Sequence, residues 1–260
     1  QLSLDVEPGE IVALLGASGC GKSTLLKAIA NLVQPQSGRI QFSGAAGQEN
    51  SRRWHEDLSY VFQDSNLLPW RNVVQNVCLP IELGVGRQAK VKNNRIDPAD
   101  SELANDRESK EQRRERARQA LESVQLPTSS FDKFPHELSG GMRMRTSIAR
   151  ALVSDPSIML LDEPFAALDD MLRTKLNELI IELWQQRKRT IVFVTHNIAE
   201  AVFLSHRIAI LAQGRIASTQ KNELAWPRSS EQRTRSDFAQ MYASISQALS
   251  ESQALSETLQ

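Results

Sequence analysis

A run of small residues closed by a lysine carries the strongest chemical signal in the chain. Gly16, Ala17, Ser18, Gly19, Cys20, Gly21, Lys22 and Ser23 satisfy the spacing G-x-x-x-x-G-K-S, and Thr24 follows. Glycines in such a run let the backbone curl until successive N–H groups face inward, and a helix starting at its end adds the positive pole of its dipole. A lysine at this place reaches the β- and γ-phosphates of a nucleotide, and the hydroxyl after it ligates Mg²⁺. A nucleoside triphosphate is the expected ligand. Cys20 is expected to contribute backbone rather than thiol chemistry.

Ile158 to Leu161 is a short apolar run that delivers Asp162 and Glu163 at its end, where open parallel sheets bind ligands. Asp162 is expected to hold Mg²⁺ through water, which leaves Glu163 to orient or deprotonate an attacking water and favours hydrolysis over transfer. Two acids there also read as caps of a following helix. A third element, Leu138-Ser139-Gly140-Gly141-Met142, opens a helical pattern with Met142, Ile148, Ala149 and Leu152 on its apolar side. A serine and two bare glycines at a helix start make an anion site. They also read as a plain N-cap.

These groups need a scaffold. Ile11 to Leu15 reads as a buried strand, and Leu25, Leu26, Ile29, Ala30 and Val33 recur at helical spacing until Pro35. Residues 38–43 alternate with period two before a turn at Gly44 to Gly47, as a half-exposed antiparallel strand does. Leu58 to Phe62 reads as a strand, Ile158 to Leu161 and Ile191 to Val194 as buried parallel ones, and Ile208 to Ile216 as a closing hairpin. Residues 87–118 are about half charged with little apolar periodicity, which predicts a solvated helix or a disordered insertion. Phe238, Met241, Tyr242, Ile245 and Leu249 share one helical face, which predicts a docked C-terminal helix.

Composition narrows the function classes. The 260 residues are 40% hydrophobic and 24% charged, enough for one sizeable α/β core or a core with a small subdomain. Lysine plus arginine number 31 and aspartate plus glutamate 31, so no global field draws the chain to nucleic acid. Two cysteines do not make a disulfide framework. No stretch approaches a membrane span, and the chain is expected to be soluble. It begins at Gln1 with a strand signal close behind, so an upstream segment is expected.

Taken in order, Gly16 to Ser23, Leu138 to Met142, Ile158 to Glu163, Ala167-Leu168-Asp169 and Thr195-His196 make the chain resemble the ATP-binding cassette ATPases over nearly its whole length. The resemblance implies an α/β fold: a P-loop NTPase (RecA-like) core with an antiparallel β part and a helical subdomain. One cassette over 1–260 is expected, with core at 1–63 and 145–225, helical subdomain at 64–144 and C-terminal helical tail at 226–260. It implies ATP and Mg²⁺ as ligands and a homodimer in which Ser139, Gly140 and Gly141 of one copy face the γ-phosphate on Lys22 of the other. Gln63 then contacts Mg²⁺ and the water, His196 contacts the γ-phosphate and positions Glu163, and Asp169 belongs to a loop at the dimer interface. Asp169 equally reads as the cap of a helix beginning near Asp170.

Leu67-Leu68-Pro69-Trp70, the stretch Asp162 to Asp169, and Glu200 to Ser205 look most like importer cassettes of the nitrate, sulfonate and taurine group. That likeness implies integral membrane permease subunits, which dock at the segment 66–77, and an extracytoplasmic solute-binding protein. It places the chain peripherally on the cytoplasmic side of the membrane. The competing classes are a cassette ATPase acting on DNA or macromolecular assembly, which predicts a basic face or long coiled-coil insertions, and a P-loop kinase, which predicts no Ser-Gly-Gly helix start. Two positions depart from the pattern: Met144 stands where relatives commonly carry glutamine, and Asn197 replaces the usual acid after the histidine. The aromatic that stacks on adenine in such relatives lies before the first residue of this sequence.

Overall fold

Apolar runs supply the central strands of one six-stranded sheet in the computed structural model, which describes residues 2–42, 57–85 and 109–258. The strands are β1 (Ile11–Leu15), β2 (Leu58–Val61), β3 (Ile158–Asp162), β4 (Thr190–Thr195), β5 (Arg207–Ala212) and β6 (Arg215–Lys221), in the spatial order β2-β3-β4-β1-β5-β6. The first five run parallel, and β6 closes the edge antiparallel to β5. Every residue of β1 is fully buried, as befits a strand covered on both faces. β6 instead alternates exposed with half-buried residues. Helices α1 (Lys22–Ile29), α5 (Asp170–Arg187), α6 (Ile198–Leu204) and α7 (Ser236–Thr258) belong to the same compact unit, formed by Gln1–Ser65 with Ser157–Gln260.

A second compact unit, Asn66–Pro156, is helical. Its helices are α2 (Val73–Glu82), α3 (Lys110–Ser123) and α4 (Gly140–Leu152), which meet through Val73, Val77, Ala117, Leu121 and Ile148, all fully buried. Asn72 and Gln75 form a capping box at the start of α2, and Ser109 and Gln112 form one at the start of α3. Asn76, also fully buried, ties the loop before α2 to the helix. Its Oδ1 accepts from Leu68 N at 2.7 Å, and its Nδ2 donates to the carbonyls of Leu68, Arg71 and Asn72 at 3.2, 2.9 and 3.0 Å. The loop so fixed presents Trp70, which is 71% exposed.

Several expectations are corrected. Described residues 38–42 form no strand and are largely exposed, because alternation creates a strand only where a neighbour supplies ladder partners. Residue 43 and the turn at Gly44 to Gly47 lie outside the described residues. The helix after the glycine loop stops at Ile29, and Asn31 turns left-handed at φ 57° well before Pro35. A division at 144/145 would cut α4, which stays whole in the second unit. Residues 110–118 of the charged stretch form the first part of α3, the solvated helix that was one of the two expectations, and 87–108 lie outside the described residues. On α7, Phe238 and Ile245 are buried and Met241 and Leu249 half-buried, but Tyr242 is exposed. Among the described residues no helix is long and apolar enough to cross a membrane.

His206, directly before β5, links β1 to the surrounding aromatic cluster. Its Nδ1 accepts from Ile11 N at 3.0 Å, and its ring packs against both Trp184 and Trp226, with centroids 4.8 and 4.6 Å away, the two indoles themselves being 4.6 Å apart. Burial, aided by the charge of Arg228, pushes the imidazole below its usual range. The native state therefore binds the proton less well than the unfolded chain, so stability rises with pH through the window between the lowered native value and about 6.5. Acidification from pH 7.5 to 5.5 should lower the denaturation midpoint, and His206→Gln should flatten that dependence. Chemical denaturation across pH reads both. Asn76→Leu should destabilise the chain by roughly 2–3 kcal/mol, since it strands buried backbone groups, and should speed hydrogen exchange at Leu68 N.

Candidate nucleotide site

The parallel strands end level with one another, and their C-terminal edge collects the chemistry. Leu15 pairs with Thr195, Asp162 with Val194, and Val61 with Leu161. The loop after β1, the acids ending β3 and the histidine after β4 therefore share one edge of the sheet. Gln63 follows β2 at that edge and is exposed.

Gly16 leaves β1 where nothing larger fits. A Cβ on it would stand 2.4 Å from the Leu211 carbonyl oxygen of β5 and 2.8 Å from Cys20 Sγ. Gly21 has φ 103° and begins α1, whose first turn receives no side-chain cap. Those helix-end N–H groups remain available to an anion. Lys22 is only 4% exposed. Its Nζ donates to the carbonyls of Gly16 at 2.9 Å and Ala17 at 2.8 Å, while the nearest further acceptor is Cys20 Sγ at 3.9 Å. An ammonium has three protons to place, so the strong protein acceptors leave one for another partner.

Ser23 Oγ donates to Asp162 Oδ1 at 2.7 Å, and Tyr60 OH donates to Oδ2 at 2.8 Å. Burial, with Asp162 beside it, drives the Tyr60 phenol far above its usual value, so its proton stays on oxygen. Because the Ser23 proton is committed to the carboxylate, the lone pairs of Oγ remain for a cation. A hydroxyl and one carboxylate are hard oxygen donors of the kind Mg²⁺ takes beside phosphates and water, rather than an all-protein cage. Among the described residues there is no group of three or more His, Cys, Asp or Glu that would make such a cage.

Glu163 turns left-handed at φ 44° directly after β3, with its N–H donating to Val194 O at 3.1 Å. Non-glycine residues adopt that region rarely, and the turn is a local strain held by its surroundings. Oε2 then lies 3.0 Å from His196 Nδ1. Behind His196, Thr195 Oγ1 donates to Glu200 Oε2 and accepts from Asn197 N, while Asn197 Oδ1 caps α6 by accepting from Glu200 N at 3.2 Å. Arg173 joins this group to the turn before α5. Its Nε lies 3.2 Å from Glu200 Oε1, and its terminal nitrogens donate to Asp170 Oδ1 at 2.7 Å and Leu168 O at 2.9 Å. Burial raises the Glu200 carboxyl, with Thr195 and Arg173 opposing.

Of the residues expected from sequence, Lys22, Ser23, Asp162, Glu163 and His196 are assembled along one edge of the first unit. Asp169 caps α5, accepting from Leu172 N at 2.9 Å. In the second unit, Ser139 Oγ accepts from Met142 N at 3.3 Å as the cap of α4, Ser139 and Gly140 are exposed, and Gly141 is buried. Met144 is buried in that unit, so the departure there places an apolar side chain in a core. Tyr60, Arg173 and Glu200 were missed by the motif reading. Tyr60 stands two residues before Phe62 in a recognisable strand, but its face is defined only once β2 is known to pair with β3.

Comparison with known proteins decides the lineage: a protein-family model described as ABC transporter matches residues 1–166. The chain belongs to the ABC transporter family. The aliphatic sulfonates import ATP-binding protein of Burkholderia lata is 40% identical over 228 residues, 88% of this chain but 60% of that relative's length, less than two thirds of it. Its namesake in Bacillus anthracis is 35% identical over 95% of this chain and 86% of its own length. The nitrate import ATP-binding protein of Synechococcus elongatus is 39% identical over 88% of this chain and 31% of its own length. Among solved structures, a dimeric ATP-binding cassette in a post-hydrolysis state with ADP and phosphate has a TM-score of 0.68 and 30% identity, covering 86% of this chain and 90% of that one. The α/β cassette fold of this ABC protein accordingly matches that expected from its motifs.

Gly16→Ala puts a methyl group against a backbone carbonyl that has no rotamer by which to withdraw. It should cost roughly 1–3 kcal/mol of stability by overpacking and displace the carbonyls that hold Lys22. Thermal melting and titration with a fluorescent ATP analogue should show both losses.

Proposed function

We propose that this chain is the ATP-hydrolysing subunit of an importer for nitrate, sulfonates, taurine or a similarly small solute. The observation that carries the reading is the convergence of Lys22, Ser23, Asp162, Glu163 and His196 at one sheet edge. The names of the relatives supply the importer class.

Binding follows from the third N–H of the Lys22 ammonium, whose remaining protein acceptor is Cys20 Sγ at 3.9 Å, and from the uncapped first turn of α1, with Gly16 to Thr24 wrapping the phosphates. Ser23 and Asp162 would hold Mg²⁺, with Gln63 as a further oxygen donor. When bound, the ion screens phosphate charge and fixes the oxygens against one another. Glu163 accepts the proton of the attacking water. His196, with its Nδ1 proton directed to Glu163, keeps that carboxylate aimed and meets the γ-phosphate with its far edge.

A single cassette does not complete the reaction. Ser139, Gly140 and Gly141 of a second copy cover the γ-phosphate, so the working unit is a homodimer. Its movement reaches permease subunits through the segment 66–77. The exposed Trp70 beside Pro69 supports that docking surface, since a large aromatic in water suits an interface anchor. Permease subunits place the chain peripherally on the cytoplasmic side of the membrane and receive solute from an extracytoplasmic binding protein.

Lys22→Ala should weaken nucleotide binding, whereas Glu163→Gln should retain binding, accumulate as an ATP-bound dimer and lose turnover by roughly 100-fold or more. Parental turnover in Glu163→Gln would show that another group activates the water. Capture of polytopic membrane subunits with the full-length protein supports the importer reading. Salt-sensitive retention on DNA without such subunits would replace it.

A further inference from the structure

Asp162 is held by two different elements, and only one of them belongs to the phosphate loop. Ser23, on α1, occupies Oδ1, and Tyr60, on β2, occupies Oδ2. The parallel register pairs Tyr60 with Leu160 and Val61 with Leu161, so Tyr60 and Asp162 project on the same face of the sheet, one pleat apart. The Tyr60 ring is packed against Phe62, with centroids 4.4 Å apart, and against the buried core of the sheet. Its hydroxyl is therefore placed by the strand rather than swept through a range of rotamers.

We infer that Tyr60 is a positioning residue for the divalent cation of the nucleotide site, acting by locking the Asp162 carboxylate from the side opposite Ser23. The inference rests on the nucleotide reading above. A carboxylate with one anchored oxygen still turns about its terminal torsion, which is broad. With both oxygens engaged, turning breaks a hydrogen bond in either direction. Mg²⁺ demands near-ideal octahedral geometry, so a carboxylate already fixed in orientation loses less freedom when the ion and its waters arrive.

The chemistry of the anchor is suited to that task. A lysine or arginine would hold the same oxygen but would neutralise the charge that attracts the cation. A phenol orients without cancelling charge, and its hydroxyl donates to Asp162 Oδ2 at 2.8 Å. Neither Lys22 nor the N–H groups of α1 depend on Tyr60, so nucleotide phosphates are bound by groups that it does not touch.

Tyr60→Phe removes one oxygen and leaves the ring packing intact. The test uses the full chain and a fluorescent ATP analogue, titrated with Mg²⁺ at fixed nucleotide and, separately, with nucleotide in EDTA. Loss of one hydrogen bond should raise the half-saturating Mg²⁺ concentration about 3- to 10-fold, with affinity in EDTA unchanged. In an Asp162→Asn background, Tyr60→Phe should add no further shift. An unchanged Mg²⁺ midpoint overturns the inference, as does equal weakening in EDTA, which would make Tyr60 a general structural support. Additive shifts with Asp162→Asn also overturn it. Failure of the parent chain to bind nucleotide in either condition overturns the functional reading itself.

Discussion

A lysine ammonium withdrawn from water is the constraint around which the site is built. Burial of an unpaired cation is prohibitively costly, so a buried ammonium must be surrounded by acceptors. Lys22 meets this demand with two backbone carbonyls of its own loop, which forces that loop to curl around it. The curl in turn needs Gly16 pressed against β5, and it sends the N–H groups of the loop and of α1 to the side from which an anion approaches. Shape and charge of the cradle follow from one requirement: the cation must be dry and yet not satisfied.

The sheet order serves the same end. β1 sits between β4 and β5, and β3 lies on the far side of β4. The glycine loop and the acids of β3 are thus one strand apart, with His196 rising from the strand between them. A fully parallel set of central strands puts all these termini on one edge, whereas an antiparallel insertion among them would send one group to the opposite side. Among the described residues antiparallel pairing is confined to β6, where its turn assists: Gly214 N donates to Cys20 O at 3.1 Å and braces the loop from outside.

Most of this was legible in the sequence where a pattern reports local physics. Apolar runs gave the five parallel strands, and the glycine-lysine spacing, the paired acids and the histidine after a buried strand marked the edge chemistry. Reading failed where the outcome depends on partners distant in the chain. Residues 38–42 alternate as a strand does but form no strand. The end of α1 is set by a left-handed Asn31 that no hydrophobic period announces. Tyr60 and Glu200 were invisible for the same reason: a tyrosine in a strand and a glutamate in a helix are ordinary until pairing brings one to Asp162 and the other to Thr195 and Arg173. Ser139 and Asp169 carried two readings each, and both residues are observed as helix caps, a geometry that leaves the serine proton free to serve a ligand.

The replacement of an acid by Asn197 illustrates why motif departures need a structural reading. The residue after His196 caps α6, and a cap requires an acceptor oxygen rather than a charge. Asn197 supplies that oxygen to Glu200 N. Its neighbours already include the carboxylates of Glu163 and Glu200, of which the second is buried and raised by that burial. A further negative charge at this position would add repulsion to a site that must also admit a polyanion. An uncharged cap holds the backbone that carries His196 and adds no competitor for the cations around Glu200, of which Arg173 lies 3.2 Å away. The substitution therefore preserves the geometry on which the histidine depends while lowering the negative charge around it.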